Sequence, residues 1–297
     1  MREKAVEIVI ASGKGGVGKS LIASTIATAL RKDFRIIVGD CDADTPNQKI
    51  YFSKYIYDEE KRGIKASEKA KVNAEKCINC KKCAVCPYGA ISFNGHAIIK
   101  EVLCEGCGLC KIVCPTKAIT LEEVENAEMI KYETELGIKV ISAQLKPGSS
   151  GSGKIVDEVK KACKSEAGMR KADLIIYDSA AGIGCPVISS IKNTDYAILV
   201  VEPTPSSIND MKRVNEVIKQ FGIKTGCIIN NCDYNAEMKQ EIIQYCTDKG
   251  IELLDEIPHD KRFIKAITEL EPAIIYDKTL EKYFRKSIGK VKELLNI

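Results

Sequence analysis

The chain has 297 residues, 45% of them hydrophobic and 29% charged, with a formal net charge of +4. That is enough apolar material for one large domain or two modest ones, and the absence of a Lys/Arg block beside aromatics argues against nucleic acid. No apolar run approaches the ~18 residues a membrane span needs, and the start lacks a secretory pattern, so a cytoplasmic location is expected and a membrane partner is disfavoured. Fourteen cysteines in that compartment point to metal or redox chemistry rather than disulfides.

The first element is written in "EIVIASGKGGVGKSLIASTIATAL". An apolar run from Glu7 to Ala11 reads as a strand, and Ile22, Ile26 and Leu30 carry helical spacing after a glycine-rich turn. That turn contains G-x-x-x-x-G-K-[ST] as Gly13, Gly18, Lys19 and Ser20, with Gly15, Gly16 and Val17 inside it. Backbone N–H groups of such a loop close around phosphates, and the helix N-terminus adds its positive end. Lys19 is placed to reach the β- and γ-phosphates and the Ser20 hydroxyl to bind Mg²⁺. ATP and Mg²⁺ are the expected ligands.

A second lysine, Lys14, turns the loop into "GKGGVGKS". This form resembles the deviant phosphate-binding loop of the MinD/ParA family, which includes the nitrogenase iron protein and the Mrp-type cluster carriers. The resemblance implies that Lys14 reaches nucleotide bound by a partner subunit, and hence an ATP-dependent homodimer. It also implies roles in "RIIVGDCDADTPN", a strand that empties into acids. There Asp42 matches the residue that positions the attacking water and Asp40 an Mg²⁺-shell carboxylate. Lys14, Lys19, Asp40 and Asp42 are therefore the expected catalytic set.

Two cysteine runs follow. "CINCKKCAVCP" supplies Cys77, Cys80, Cys83 and Cys86; "CEGCGLCKIVCP" supplies Cys104, Cys107, Cys110 and Cys114. The second has the C-x₂-C-x₂-C-x₃-C-P spacing of bacterial ferredoxins, in which three cysteines hold one [4Fe–4S] cluster and the fourth ligates the other. Thiolates are the soft ligands that iron–sulfur cores require, and zinc is the competing metal. The crossed rule groups Cys77, Cys80 and Cys83 with Cys114, and Cys104, Cys107 and Cys110 with Cys86. The first run departs from pattern, since only two residues separate Cys83 from Cys86. Between the runs, "FNGHAII" reads as a hairpin about Asn94–Gly95. Two clusters at −2 each would bring the net charge near zero.

Further along, "GSSGSGKI" mimics the phosphate loop but ends in Ile155 rather than a hydroxyl, and reads as a Gly/Ser loop before a helix. "ADLIIYDSAAGIG" is a buried strand from Leu174 to Tyr177 whose Asp178 fits a carboxylate acting on Mg²⁺. By the same resemblance, Gly182 offers a backbone N–H to the γ-phosphate, Asn230 of "GCIINNCD" contacts adenine, and Pro258 lies in an adenine-side loop. Cys185 stands at a spacing similar to that of a cluster ligand in the nitrogenase iron protein, although a plain thiol is the simpler reading. The terminal segment carries Leu280, Phe284, Ile288, Val291 and Leu295 on one helical face, which is expected to pack on the sheet.

The fold expected is α/β: a mostly parallel P-loop sheet with helices on both faces, formed by residues 1–61 and 128–297, with a small α+β ferredoxin domain inserted at 62–127. The function expected is Mg²⁺-dependent ATP hydrolysis that gates electron delivery from two [4Fe–4S] clusters to a redox or metallocofactor-assembly protein. Its alternatives are an iron–sulfur assembly or transfer factor, and a MinD/ParA-type positioning ATPase with a ferredoxin sensor.

Overall fold

The computed structural model describes residues 4–149 and 151–296. Along the chain run β1 (Val6–Ser12), α1 (Lys19–Leu30), β2 (Ile36–Cys41), α2 (Gln48–Phe52) and β3 (Ile56–Ile64). Next come β4 (Ser67–Val72), β5 (Ile91–Asn94), β6 (His96–Ile99), α3 (Leu109–Ile112) and β7 (Ile119–Val124). The chain continues with β8 (Ala127–Thr134), β9 (Lys139–Leu145), α4 (Ser152–Arg170), β10 (Leu174–Ala181), α5 (Cys185–Ile191) and β11 (Tyr196–Val201). It closes with α6 (Pro205–Gln220), β12 (Lys224–Asn230), α7 (Ala236–Lys249), β13 (Glu252–Ile257), α8 (Lys261–Thr268), α9 (Ala273–Tyr276) and α10 (Arg285–Leu294).

Nine strands form one sheet in the order β13-β12-β11-β1-β10-β2-β9-β8-β3. The pairs from β13 to β9 are parallel, and only β9–β8 and β8–β3 are antiparallel. Alternate residues of each central strand enter opposite cores, as a sheet covered on both faces requires. Val9, Ile175, Tyr177 and Leu199 pack with Ile155, Val187, Ile208 and Ile242 of α4 to α7. On the other face Ile8, Ile10, Ile176 and Ile198 meet Ile22 and Ile26 of α1 and Phe263 of α8.

The terminal segment joins this second core. Leu280, Phe284 and Val291 are fully buried in it, with Ile288 and Leu295 packed alongside. No helix among the described residues is long and apolar enough to cross a membrane.

Residues between β3 and β8 leave the sheet and build a small unit of their own, with β4 pairing β7 and β5 pairing β6. The last two pairs place the turn at Gly95 alone, whose φ of 71° suits glycine. The boundaries differ slightly from those expected. β3 stays paired to β8 from Ile56 to Ile64 and β8 starts at Ala127, so the sheet keeps three residues at one end and one at the other that the sequence boundary gave to the insert. The charged run "DEEKRG" therefore lies within β3. Its charges suit an edge strand, where they discourage pairing with another chain.

Two antiparallel steps, β9 to β8 to β3, make β3 point the same way as β2 and β9. The insert consequently leaves the sheet at the rim where β1, β2 and β10 end.

If the terminal segment is a structural layer of the sheet, Phe284→Ala costs about 3–5 kcal/mol. Its ring is fully buried and meets Phe263 edge-on at 6.1 Å. Denaturant unfolding of the nucleotide-free chain checks this, and a loss below ~1 kcal/mol would contradict the packing.

Candidate functional site

At the C-terminal rim of the sheet a cavity of about 620 Å³ is lined by Gly15, Gly16, Gly18, Lys19 and Ser20, and by Asp42, Asn47 and Tyr51 across from them. The strand β1 ends at Ser12, the loop turns, and α1 begins at Lys19, so the first free N–H groups of a buried helix face the cavity. Gly18 adopts φ 97°, and a Cβ there would stand 2.5 Å from Asn230 Nδ2. Only glycine fits. Gly13 packs against Asp210 of α6 and Val17 is buried.

Lys19 is 7% exposed and donates to Ser12 Oγ at 3.0 Å, while Ser12 Oγ donates to the Lys14 carbonyl at 2.7 Å. Burial draws the Lys19 ammonium below its ordinary pKa, against the opposing pull of Asp178, Asp42 and Asp40. Lys14 itself is half-buried in the loop and does not line the cavity of its own chain.

Asp40 and Asp178 lie side by side, because the parallel register pairs them across β2 and β10. Both are almost wholly buried. Burial first, and the neighbouring Asp178 charge second, push Asp40 well above the ordinary carboxylate range. Burial raises Asp178 too, and Lys19 with hydrogen bonds from Ser20 and Gln48 partly offsets it. Asp42 is half-buried, raised chiefly by burial, and accepts from the Thr45 N–H at 3.2 Å.

Gln48, unremarked in the sequence, connects these parts. Its N–H donates to Asp40 Oδ2 at 2.8 Å, and its Nε2 donates to Asp178 Oδ2 at 2.9 Å and to the Ser20 carbonyl at 3.1 Å. Asp178 Oδ1 is buried with no hydrogen-bond partner among the described residues. A buried pair of carboxylates beside a hydroxyl, with an unmatched oxygen, is the donor set a hard divalent cation takes. Mg²⁺ fits that donor set, and Ser20, Asp178 and Asp40 are the residues that would hold it.

Three expected contacts are arranged differently. Asn230 lines the cavity, but its Nδ2 donates to the Val17 carbonyl at 2.9 Å, so half of its amide holds the phosphate loop instead of facing a base. Gly182 has φ 97°, and its N–H is taken by the Ser12 carbonyl at 3.1 Å. Pro258 is half-buried outside the lining, while its neighbours His259, Asp260 and Phe263 form the wall. His259 meets Tyr234 there, with Nδ1 3.1 Å from the tyrosine oxygen and 3.3 Å from Asn231 Oδ1. The histidine is visible in "EIPHD", but nothing in its spacing reveals a tyrosine 25 residues upstream.

A larger cavity, about 720 Å³, lies at the opposite ends of the strands beside Lys4, Glu7, Arg35 and Lys164. Its carboxylates are already matched: Glu7 with Lys4 at 2.8 Å and Lys164 at 3.1 Å, and Asp173 with Arg35 at 3.6 Å.

In the inserted unit the cysteines fall into two sets. Cys77, Cys80, Cys83 and Cys114 line one small cavity; Cys86, Cys104, Cys107 and Cys110 line another. Backbone N–H groups point at two of the sulfurs, Ala70 to Cys104 at 3.4 Å and Ala118 to Cys114 at 3.3 Å. Gly106 approaches the Glu68 carbonyl so closely that a Cβ would collide with it. Among the described residues no group of three His, Cys, Asp or Glu is drawn together tightly enough to hold a single metal ion. Cys185 lies elsewhere, exposed at the start of α5 and against Gly153 of α4.

The raised carboxyls fix a pH response. The folded chain holds more protons than the unfolded one between the ordinary aspartate pKa and the raised values, so the pair lowers stability as pH rises through that interval. In metal-free, nucleotide-free protein, Asp40→Asn flattens this slope and raises the neutral-pH melting temperature, by roughly 2–4 °C per kcal/mol recovered. Thermal melts from pH 4.5 to 8 read it directly. A variant as pH-sensitive as the wild type would contradict the buried pairing.

With this geometry in hand, the chain can be set beside known proteins. A profile of the family described as "CobQ/CobB/MinD/ParA nucleotide binding domain" matches residues 8–273. A protein of Methanocaldococcus jannaschii named "Uncharacterized protein MJ0578" is 40% identical over 220 residues, which span 74% of this chain and 75% of the relative. The flagellum site-determining protein YlxH of Helicobacter pylori is 27% identical over 205 residues, covering 68% of this chain and 50% of its own length. The fold is also that of the septum site-determining protein MinD of Pyrococcus horikoshii, solved with Mg-ADP: TM-score 0.60, 20% identity, 98% of this chain and 97% of that one.

Proposed function

From the premise that the chain belongs to the CobQ/CobB/MinD/ParA nucleotide-binding family, we propose that it is an ATP·Mg²⁺-dependent dimerisation switch whose insert holds two [4Fe–4S] clusters. The nucleotide-handling part is an ATPase of the MinD/ParA type. Lys19, the loop N–H groups and Ser20 bind the phosphates and metal, Asp42 orients water, and Asp40 with Asp178 supports the metal. Lys14, which does not line its own cavity, serves the nucleotide of a second copy.

The observation that carries the insert's role is the crossed division of its thiols. Each cavity is lined by three cysteines of one run and one of the other, the pairing that two-cluster ferredoxins use. Cys86 reaches the second cavity despite the shortened spacing. The small unit's packing supports this reading independently. Its buried apolar residues are Ala70, Ala90, Ala97, Ala118 and Ile119 with Cys83, Cys104 and Cys110, and half-buried Val72, Ile91, Phe93, Ile99, Val113 and Leu121 pack around them. Four alanines and one isoleucine make a small core, and units of this size ordinarily add cross-links or metal. The single-ion spacing that is absent here is not what a cubane asks for, because each of its irons takes one thiolate. When bound, such clusters supply one-electron transfer, and the N–H groups of Ala70 and Ala118 stabilise the thiolate form of their ligands.

The relatives bear on what the switch serves. YlxH is named for flagellum siting and MinD for septum siting. Those names favour a positioning ATPase, with the insert as sensor or docking module, over electron delivery to a redox or metallocofactor-assembly partner or cluster transfer to an acceptor. Electron delivery draws its support from the thiol quartets alone.

Anaerobic reconstitution is expected to give about eight irons per monomer, falling to about four in Cys114→Ala and in Cys86→Ala, by iron assay. About four in the wild type would remove the second cluster from this reading. Lys14→Ala keeps its iron and remains monomeric with ATP analogue in sedimentation, whereas the wild type dimerises. ATP-dependent recruitment to liposomes by the same holo-protein decides for positioning; ATP-dependent oxidation of the reduced clusters by an acceptor decides for electron delivery.

A further inference from the structure

The carboxamide of Gln48 occupies an unusual place. It is wholly buried, and it touches the three parts that a bound Mg²⁺·nucleotide must organise. Its Nε2 donates to Asp178 Oδ2 at 2.9 Å and to the Ser20 carbonyl at 3.1 Å, while its main-chain N–H donates to Asp40 Oδ2 at 2.8 Å. An amide N–H₂ that spans a hydroxyl-bearing residue and a buried carboxylate does part of a cation's electrostatic work, presenting positive hydrogens to the acids.

Two further atoms show that the arrangement is incomplete. Asp178 Oδ1 and Gln48 Oε1 are both buried with no hydrogen-bond partner among the described residues. A buried carboxylate oxygen and a buried amide oxygen left so are costly, by roughly 1–3 kcal/mol each. A cation at this spot would satisfy the first, and rotation of the amide out of the way would free the second to reach water.

We propose that the Gln48 carboxamide is an internal stand-in for the divalent cation, holding Ser20 and Asp178 together until Mg²⁺ enters and displaces it. The proposal rests on the ATP·Mg²⁺ reading of the site. Gln48 is the first residue of α2, and only a short 3-10 turn, Ser53–Tyr55, separates α2 from β3. Displacement of the amide therefore loosens the segment that runs directly into the insert. Gln48 is a positioning residue: it touches neither phosphate nor the reacting atoms, and it sets how metal entry is felt along the chain.

The test uses the full holo-protein under anaerobic conditions, with a fluorescent N-methylanthraniloyl-ADP as probe and Mg²⁺ titrated against it. Gln48→Met keeps the length and removes the donors. It is expected to lower the Mg²⁺ midpoint about tenfold, because the metal no longer competes with a hydrogen bond to a charged group. Affinity for ADP in EDTA stays within about twofold, which separates this role from a general structural one. Gln48→Glu, the nearest in shape, replaces the amide donors with a carboxyl that draws the dication, so its midpoint falls at least as far.

Hydrogen exchange supplies a readout that needs no turnover. In the wild type, Mg·ADP speeds exchange across residues 48–64; in the nucleotide-free Gln48→Met protein that fast exchange is already present. Unchanged Mg²⁺ midpoints in both variants, with ADP still bound, overturn the proposal and leave the nucleotide reading intact. Wild-type protein that takes up no ADP at any Mg²⁺ concentration overturns both.

Discussion

Two aspartates placed in register on adjacent parallel strands set the terms for this molecule. Asp40 and Asp178 sit opposite one another where β2 and β10 end, both out of water. Like charges so close in a dry interior repel strongly, and the chain holds them only with help from Lys19, the Gln48 amide and proton uptake. The frustration has a use. A site that is unsatisfied when empty gains most when a dication arrives, so binding can be spent on moving what filled the gap.

Sheet topology decides where that movement goes. The phosphate loop follows β1 at the centre, whereas the insert hangs from β3 at the edge, five strands across, or about 24 Å. Asp40 is nearer, on β2, three strands from the same edge. The two antiparallel steps at β9 and β8 matter here, for they return β3 to the direction of the parallel strands. With an odd number of such steps the insert would have emerged at the far end of the sheet, beside Glu7 and Arg35, remote from nucleotide. The residues after Asp40 thus pass the buried acids at Gln48, close a turn of helix and run through β3 into the insert within a single continuous stretch.

Much of this was legible in the sequence, and the reasons are specific. The phosphate loop is readable because glycine at Gly18 is forced by sterics and Lys19 by charge, so the motif is local. The buried strands are readable because sheets covered on both faces leave unbroken apolar runs, as in "LIIYD" and "AILVV". The thiol quartets follow from spacing. Gln48 was not legible: its meaning depends on Ser20 and Asp178, residues 28 and 130 positions away. The hold of the Asn230 amide on the phosphate loop was hidden for the same reason, since its partner Val17 lies 213 residues earlier. The insert boundary slipped because charged "DEEKRG" has the composition of a linker, and only the pairing with β8 makes it a strand.

The insert itself imposes a last condition on any coupling. A lever must be stiff, and this one has a small apolar core: beyond its cysteines, Ala70, Ala90, Ala97, Ala118 and Ile119 are its buried apolar residues among those described, with Phe93 and five aliphatic side chains half-buried around them. Its stiffness must come from whatever joins the two cysteine runs, because each cavity is lined by thiols of both. The crossed ligation proposed above would tie the half carrying Cys77 to Cys86 to the half carrying Cys104 to Cys114. Two such knots would close the loops that hydrophobic burial is too weak to close. On this physics a bound cluster would be structural before it is functional. A displacement starting at α2 would then travel beyond Ile64 only in a chain whose thiols are bound, which would make the nucleotide site and the cysteines parts of one device rather than neighbours.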